Sequence, residues 1–306
     1  MTQLIATVES LDQGKKLLEA GVDILYFGQD QFGLRLPYSF SREDQATLTD
    51  MAHAAGKKVS IAVNAIFHNE GLEAVPDYLL FLKEIGVDSI SVGDPGVIQI
   101  MKDPKYQLPY RYDAQVLVTS SRQINFWAER GAIEAVVARE VPRASLEKLA
   151  PKVKIPLEFL VYGATCIHQS RRPLLQNYFN YIKESQEVTK DRGLFISEPK
   201  KPDSHFSIYE DYNGTHIFAN NDVLLAQHLQ ELKDMPIGVW KLEGLFAPGD
   251  NFVAVAELFA QARDKVDAGA WTPEEGQVLE NAVRALHPPK RDLDTGFYLY
   301  DPDYVK

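Results

Sequence analysis

Cysteine is nearly absent: Cys166 is the only one in 306 residues. An intrachain disulfide framework is thereby excluded, which suits a reducing compartment. So is any cysteine-rich zinc site or iron–sulfur cluster assembled from this chain alone. Long apolar runs are missing too, so no membrane-crossing helix is expected. The first residues lack the basic, apolar and small-residue regions of a signal peptide, and the cytoplasm is the expected location. Positive charge is scarce: 32 Lys and Arg stand against 43 Asp and Glu, a formal net charge of −11. A nucleic-acid binder usually carries the opposite balance, so any RNA contact must come from a local basic patch or a partner. The sequence has no HExxH, no CxxC and no Walker loop, and His205 and His216 flank a hairpin without a coordinating spacing, so no metal site is expected.

What is present is a recurring rhythm of amphipathic helix, glycine and apolar strand. It occurs at 17–28, 51–64, 81–94 and 126–140, with Gly21, Gly56, Gly86 and Gly131 where each helix must end. The following strands are rich in Val and Ile, as in a parallel sheet covered by helices. LIATV (4–8), RYDAQV (111–116), IPLEFLVYG (155–163) and IGVWKLEG (237–244) complete a set of eight strands. Eight strands separated by helices predict an α/β protein of the (β/α)8 TIM-barrel class. A doubly wound open sheet is the alternative, but no GxGxxG turn follows the first strand.

The barrel is expected over residues 1–270. It is interrupted after the seventh strand by an insertion at 164–236, on the face where barrels carry their sites. Within the insertion, FSIYEDYNGTHIFAN (206–220) predicts a hairpin with a type I′ turn at Asn213-Gly214, and 222–235 predicts a helix. Thr272, Pro273 and Glu275 form a capping box that starts a C-terminal extension, 271–306, of one helix and an aromatic tail packed on the barrel.

Strand ends and the loops beyond them should line a barrel's site. They present Tyr26, Asn64, Asp94, Gln115, Arg139, Glu140 and Glu243, then Arg35, His68, Asn69, His168, Arg171 and Arg172. Guanidinium groups at one mouth suggest an anionic ligand, bound by Arg35, Arg139, Arg171 and Arg172 with Gln115 and Glu140. The same residues could instead be ion pairs that brace the barrel. His68 could move protons or simply orient its loop, and Asp94 before Pro95 fits a helix cap. Asn64, Glu243 and His168 complete the candidates for polar chemistry. Cys166 and His168, two residues apart in a loop, have little support as a catalytic dyad.

The strings YFGQDQFGLRLPYSFS (26–41), VNAIFHNEGL (63–72), SVGDPGV (91–97), VVAREV (136–141), VYGATCIHQSRRPLLQNY (161–178) and WKLEG (240–244) resemble, in order, the blocks of the collagenase-like peptidase family U-32. RDLDTGFYLY (291–300) resembles that family's closing segment. The resemblance implies a barrel. By family name it implies a peptidase, with Cys166 or His168 involved. Its bacterial branches instead imply RNA or quinone hydroxylation with an iron–sulfur cluster held by a pattern like G-A-x-C-x6-C. Here Cys166 occupies the first cysteine position and Pro173 the second, so the cluster is not carried over. A short, cysteine-poor chain resembles the smaller of two paired proteins of Gram-positive bacteria. That implies a subunit for 5-hydroxyuridine formation at the wobble position of transfer RNA, a longer paralogue as partner, and prephenate as co-substrate. A non-catalytic partner of such a paralogue is a further reading.

Overall fold

A computed structural model describes residues 1–301; residues 302–306 of the expected aromatic tail lie outside that range. Seven strands come first: β1 (Gln3–Thr7), β2 (Ile24–Gly28), β3 (Lys58–Ala62), β4 (Ser89–Val92), β5 (Tyr110–Tyr112), β6 (Ala132–Val136) and β7 (Leu157–Gly163). The insertion adds β8 (Cys166–Ser170), β9 (Phe195–Glu198), β10 (Lys201–Asp211), β11 (Gly214–Phe218) and β12 (Asn221–Leu224). The chain then returns to the barrel with β13 (Val239–Leu242) and ends with β14 (Asp292–Asp294).

β1 to β7 pair in parallel in chain order. β13 closes the ring by pairing in parallel with both β1 and β7. Closure leaves the barrel wall without a free edge. All eight expected strands are there, and the (β/α)8 class holds.

Side-chain alternation sorts the two faces of the wall. Leu4, Ala6, Leu25, Phe27, Val59 and Ile61 face outward into the main core beneath the helices. Their neighbours Ile5, Ile24, Tyr26, Ala62 and Val239 form a second, small apolar cluster with Leu36. Helices start where the sequence supplies caps. Ser10, Ser41, Ser120, Asp94 and Thr272 each accept a backbone N–H from the first turn of the helix they precede. None of the helices among the described residues is long and apolar enough to cross a membrane.

The insertion differs from expectation in three ways. The Cys166 stretch is not a loop: β8 is the edge of an antiparallel sheet ordered β8-β11-β10-β9. The expected helix at 222–235 is α-helical only at 229–234, after a 3-10 turn at 226–228, because Val223 and Leu224 pair as a strand with Gly163 and Tyr162 at the end of β7. The β10–β11 hairpin turns at Tyr212-Asn213, with Asp211 opposite Gly214, so the turn is not type I′ at Asn213-Gly214. Among these residues only Gly214 has positive φ (101°), whereas type I′ requires it at both central positions. Asn213 serves another purpose: its buried side-chain amide donates to the Asp30 and Gly33 carbonyls, at 2.7 and 3.0 Å, and seats the hairpin on the loop after β2.

The C-terminal extension is anchored rather than draped. The helix Pro273–Leu286 leads to β14, which pairs in parallel with β12. Arg291 donates to Asp222, Ala219 and Ser207, and its guanidinium lies 4.6 Å from the Phe246 ring centre. Tyr298 is buried and donates to Glu231 at 2.9 Å.

Gly163 marks the point where the chain leaves the barrel for the insertion. Its φ is +117°, and a Cβ there would meet the Glu243 carbonyl oxygen at 2.2 Å. Gly163→Ala therefore combines backbone strain with a clash that backbone must absorb. We expect it to lower unfolding free energy by roughly 2–4 kcal/mol, read from the denaturation midpoint.

Candidate functional site

The barrel interior is charged. Arg111 on β5, Glu134 on β6, Glu158 on β7 and Lys241 on β13 each sit at an inward position of an otherwise apolar strand, and all are buried. Arg111 Nη1 donates to Glu158 Oε2 at 2.7 Å and lies 3.2 Å from Glu134 Oε1. Lys241 Nζ is 3.9 Å from Glu158 Oε1 and 3.3 Å from the centre of the Tyr26 ring. Two carboxylates thus share one guanidinium. Burial, outweighing the pull of Arg111, pushes the Glu134 carboxyl up to about 7, with Glu158 adding repulsion. Burial likewise lowers the Lys241 ammonium, against the attraction of Glu158 and Glu243.

Above this layer, toward the strand ends, Asn64 is a hub. Its amide donates to Asp113 at 2.6 Å and to the Tyr26 hydroxyl at 3.2 Å, and its oxygen accepts the Leu34 N–H at 2.9 Å. Asp113 also accepts from the Gln115 amide at 2.7 Å. Gln115 accepts in turn from Arg35, whose other terminal nitrogen reaches Gln169 of β8 at 2.9 Å. Arg35 and Gln115 have φ of +54° and +53°, a region unfavourable for residues other than glycine. Strain of this kind, at two residues bonded across a site, is typical of places where function fixes the backbone. Gln115 is not on β5, as expected, but on a short 3-10 turn beyond it.

On the opposite side Arg139 donates to the Ala164 carbonyl and lies 3.6 Å from Glu243 Oε2. Between the two arginines is a cavity of about 60 Å³, lined also by Asn64, Asp113, Glu140, Thr165, Cys166 and Glu243. It opens, past Arg35, Gln115 and Cys166, into a cleft of about 550 Å³ walled by Ile66, Val116, Leu117, Ile167 and His168. That outer space is of the size that holds a small organic ligand. Glu243 Oε1 and Thr165 Oγ1 are buried in the inner wall without a hydrogen-bond partner among the described residues. Buried polar atoms left unsatisfied beside a cavity are free to hydrogen-bond a water or a guest held there.

The structure brings together Asn64, Glu243, Arg35, Arg139, Glu140 and Gln115. It leaves His68, Arg171 and Arg172 outside. His68 is exposed at the start of the helix Asn69–Leu72 and shares a separate groove with Arg171. Arg171 donates to the Tyr212 carbonyl over that residue's ring, and Arg172 is exposed beside the hairpin. Both follow the end of β8, so they are carried along the small sheet and away from the barrel axis. His168 reaches only the outer cleft, and its contact with Cys166 is through its backbone carbonyl, which accepts from the thiol at 3.2 Å. Asp94 caps its helix and also accepts the Phe67 N–H at 3.1 Å, the structural role expected of it.

Sequence reasoning missed the interior charges and His216. A lone charged residue inside an apolar strand, as in YRY, IEA, LEF and WKL, is the signal that could have found the former. His216 carried no such signal, because only the β8–β11 pairing brings it beside Cys166.

A closed (β/α)8 barrel whose mouth holds two guanidiniums over a buried polar pocket is the class that the fold and the site define. The chain belongs to peptidase family U32, whose family model matches residues 9–306. It is similar to tRNA hydroxylation protein P2 of Bacillus subtilis (strain 168), with 32% identity over 99% of each chain. To tRNA hydroxylation protein P1 of the same organism it is 25% identical, covering 99% of this chain and 72% of that protein. The solved U32 peptidase Mk0906 shares the fold, with a TM-score of 0.50 at 14% identity over 79% of this chain and 92% of that one. A four-cysteine iron–sulfur cluster does not fit the residues here. Cys166 is the single thiol, Pro173 opens the helix Leu174–Ile182, and the positive charges of Arg35 and Arg139 act on the sulfur.

The interior layer yields a pH prediction. Between about 4.5, the ordinary value of a glutamate, and about 7, native Glu134 keeps a proton that the unfolded chain has lost. Stability contributed by this group therefore falls as pH rises through that window. Glu134→Gln should flatten that fall, giving a larger gain in melting temperature at pH 8 than at pH 5. Asn64→Ala removes three buried hydrogen bonds and should cost about 2–4 kcal/mol, measured by denaturant unfolding.

Proposed function

We propose that this protein is a subunit of the system that hydroxylates a wobble uridine of transfer RNA, working with a longer paralogue. The observation that carries the reading is its end-to-end similarity to tRNA hydroxylation protein P2. A second, longer relative in the same bacterium, tRNA hydroxylation protein P1, supports the idea of a pair. A net charge of −11 suits a subunit that leaves most transfer-RNA contact to its partner.

Within that reading the mouth pocket takes prephenate as co-substrate. One carboxylate would enter the inner cavity between Arg35 and Arg139, and the ring would lie against Ile66, Val116 and Ile167 in the outer cleft. Charge-assisted bonds from guanidinium to carboxylate suit this ligand, and the apolar walls suit its ring. Peptidase activity has the family name behind it, but His168, the base expected for Cys166, does not present its ring to the thiol.

Two measurements test the reading. Deleting the gene and analysing transfer-RNA nucleosides by mass spectrometry should show loss of 5-hydroxyuridine derivatives; an unchanged nucleoside profile overturns it. Prephenate should raise the melting temperature of the purified protein. Arg35→Ala or Arg139→Ala should each weaken that binding at least about tenfold, since a hydrogen bond to a charged group contributes roughly 1.5–3 kcal/mol.

A further inference from the structure

We propose that Cys166, His216 and Asp211 form a thiolate site that captures a small carboxylate-bearing carbonyl compound, of the 2-oxo acid class, as a reversible hemithioketal. The inference goes beyond the transfer-RNA reading. It uses the same guanidiniums and cavity, and prephenate, itself a 2-oxo acid, falls within the class.

Three elements of the insertion build the arrangement. Cys166 opens β8, His216 lies on β11, and Asp211 ends β10. β8 and β11 pair antiparallel with His216 opposite Gln169 and, past a bulge, Phe218 opposite Cys166; His216 and Phe218, two apart on β11, project from the same face. The imidazole is fully buried, and its Nε2 contacts Asp211 Oδ1 at 2.8 Å. Its Nδ1 has no hydrogen-bond partner among the described residues, and the Cys166 thiol donates to the His168 carbonyl at 3.2 Å. A carboxylate on one side of a buried imidazole and a thiol on the other is the order of groups that activates a sulfur nucleophile.

Charge around the thiol favours the ion pair. Burial alone would raise the thiol, but His216, Arg35 and Arg139 together hold it below its ordinary value. Burial alone would lower the imidazole, but Asp211 and Cys166 together hold it above its ordinary value, against Arg35. Beyond Asp211 stand Asp30, pushed up to about 6 by burial and by Asp211, and Lys190, which partly offsets that rise. Glu243 and Tyr209 also stand near the sulfur, and Tyr26, Asp113, Glu140, Glu158 and Lys241 line the same cavity.

Placement points to a ligand. Cys166 lines both the inner cavity and the outer cleft, so an incoming molecule meets the sulfur where the two spaces join. The unpartnered Glu243 Oε1 and Thr165 Oγ1 line the same cavity and can receive or give hydrogen bonds to a guest. Arg35 and Arg139 supply the counter-charge for its carboxylate. The step balances without a co-reactant. The Cys166 sulfur forms one C–S bond to the carbonyl carbon, the C=O π pair moves to oxygen, and the His216 imidazolium gives that oxygen its proton. Nothing leaves and nothing is oxidised or reduced, and the reverse step restores the thiolate and the imidazolium.

The test uses the full chain with iodoacetate, iodoacetamide and pyruvate as probes, and Cys166→Ser as the blank. Iodoacetate should alkylate Cys166 at least about tenfold faster than iodoacetamide, because its carboxylate meets two guanidiniums. The pH midpoint of the rate should lie below about 8.5, the value of a free cysteine, and should rise in Asp211→Asn and in His216→Asn. If His216→Asn does not fold, Asp211→Asn carries the comparison. Pyruvate should slow alkylation markedly more than lactate, which has the same carboxylate but no carbonyl. A free-thiol pH profile with no preference for iodoacetate overturns the thiolate site. Equal protection by pyruvate and lactate overturns the hemithioketal. Neither result touches the transfer-RNA reading, which stands or falls on the nucleoside profile of the deletion strain.

Discussion

A guanidinium enclosed in a barrel must be neutralised where it sits, and the fold is arranged around that requirement. Arg111 is 3% exposed, with Glu134 and Glu158 on the next two strands and Lys241 beyond them. Breaking one partner of such a group strands a buried charge, which is far costlier than the net stabilisation the intact network provides. The four residues therefore fix one another's strands in register: Arg111 opposite Glu134, and Glu158 opposite Val136 on one side and Val239 on the other. A purely apolar interior would close a barrel equally well, but would offer nothing for a polar mouth to rest on.

From that layer the polar chain continues upward. Tyr26, Asn64, Asp113, Gln115 and Arg35 are linked by consecutive hydrogen bonds, so the guanidinium at the rim is positioned from below rather than by its own loop. Positive φ at Arg35 and Gln115 shows that these links prevail over local backbone preference. Arg139, held by Glu243 and the Ala164 carbonyl, faces it across the cavity. A pocket held this firmly loses little entropy when a ligand binds.

The insertion contributes the sulfur and its base, and it is tied down at both ends. Gly163 lets the chain leave the barrel past Glu243, and Asn213 pins the hairpin tip to the loop after β2. Arg291 clamps the C-terminal extension to Asp222, whose strand β12 pairs with β7. The extension thus braces the base of the insertion. Substitutions far from the pocket, at Arg291 or Tyr298, would reach the site through this route.

The sequence by itself determined the barrel. Each helix, its terminal glycine and the strand that follows are set by residues within about a dozen positions of one another, and such local signals survive folding intact. Caps at Asp94 and Thr272, and the arginines at 35 and 139, were legible for the same reason. Tertiary structure decided everything that depends on which strand lies beside which. It turned 166–170 and 221–224 into strands because partners were waiting at Phe218 and Gly163, and it set the hairpin turn one residue earlier by giving Asn213 a docking role. It carried Arg171, Arg172 and His68 away from the axis and brought His216 to Cys166 across fifty residues of chain. A period of two or of 3.6 tells which way a side chain points from its own element. Only the assembled sheet tells what it will meet there.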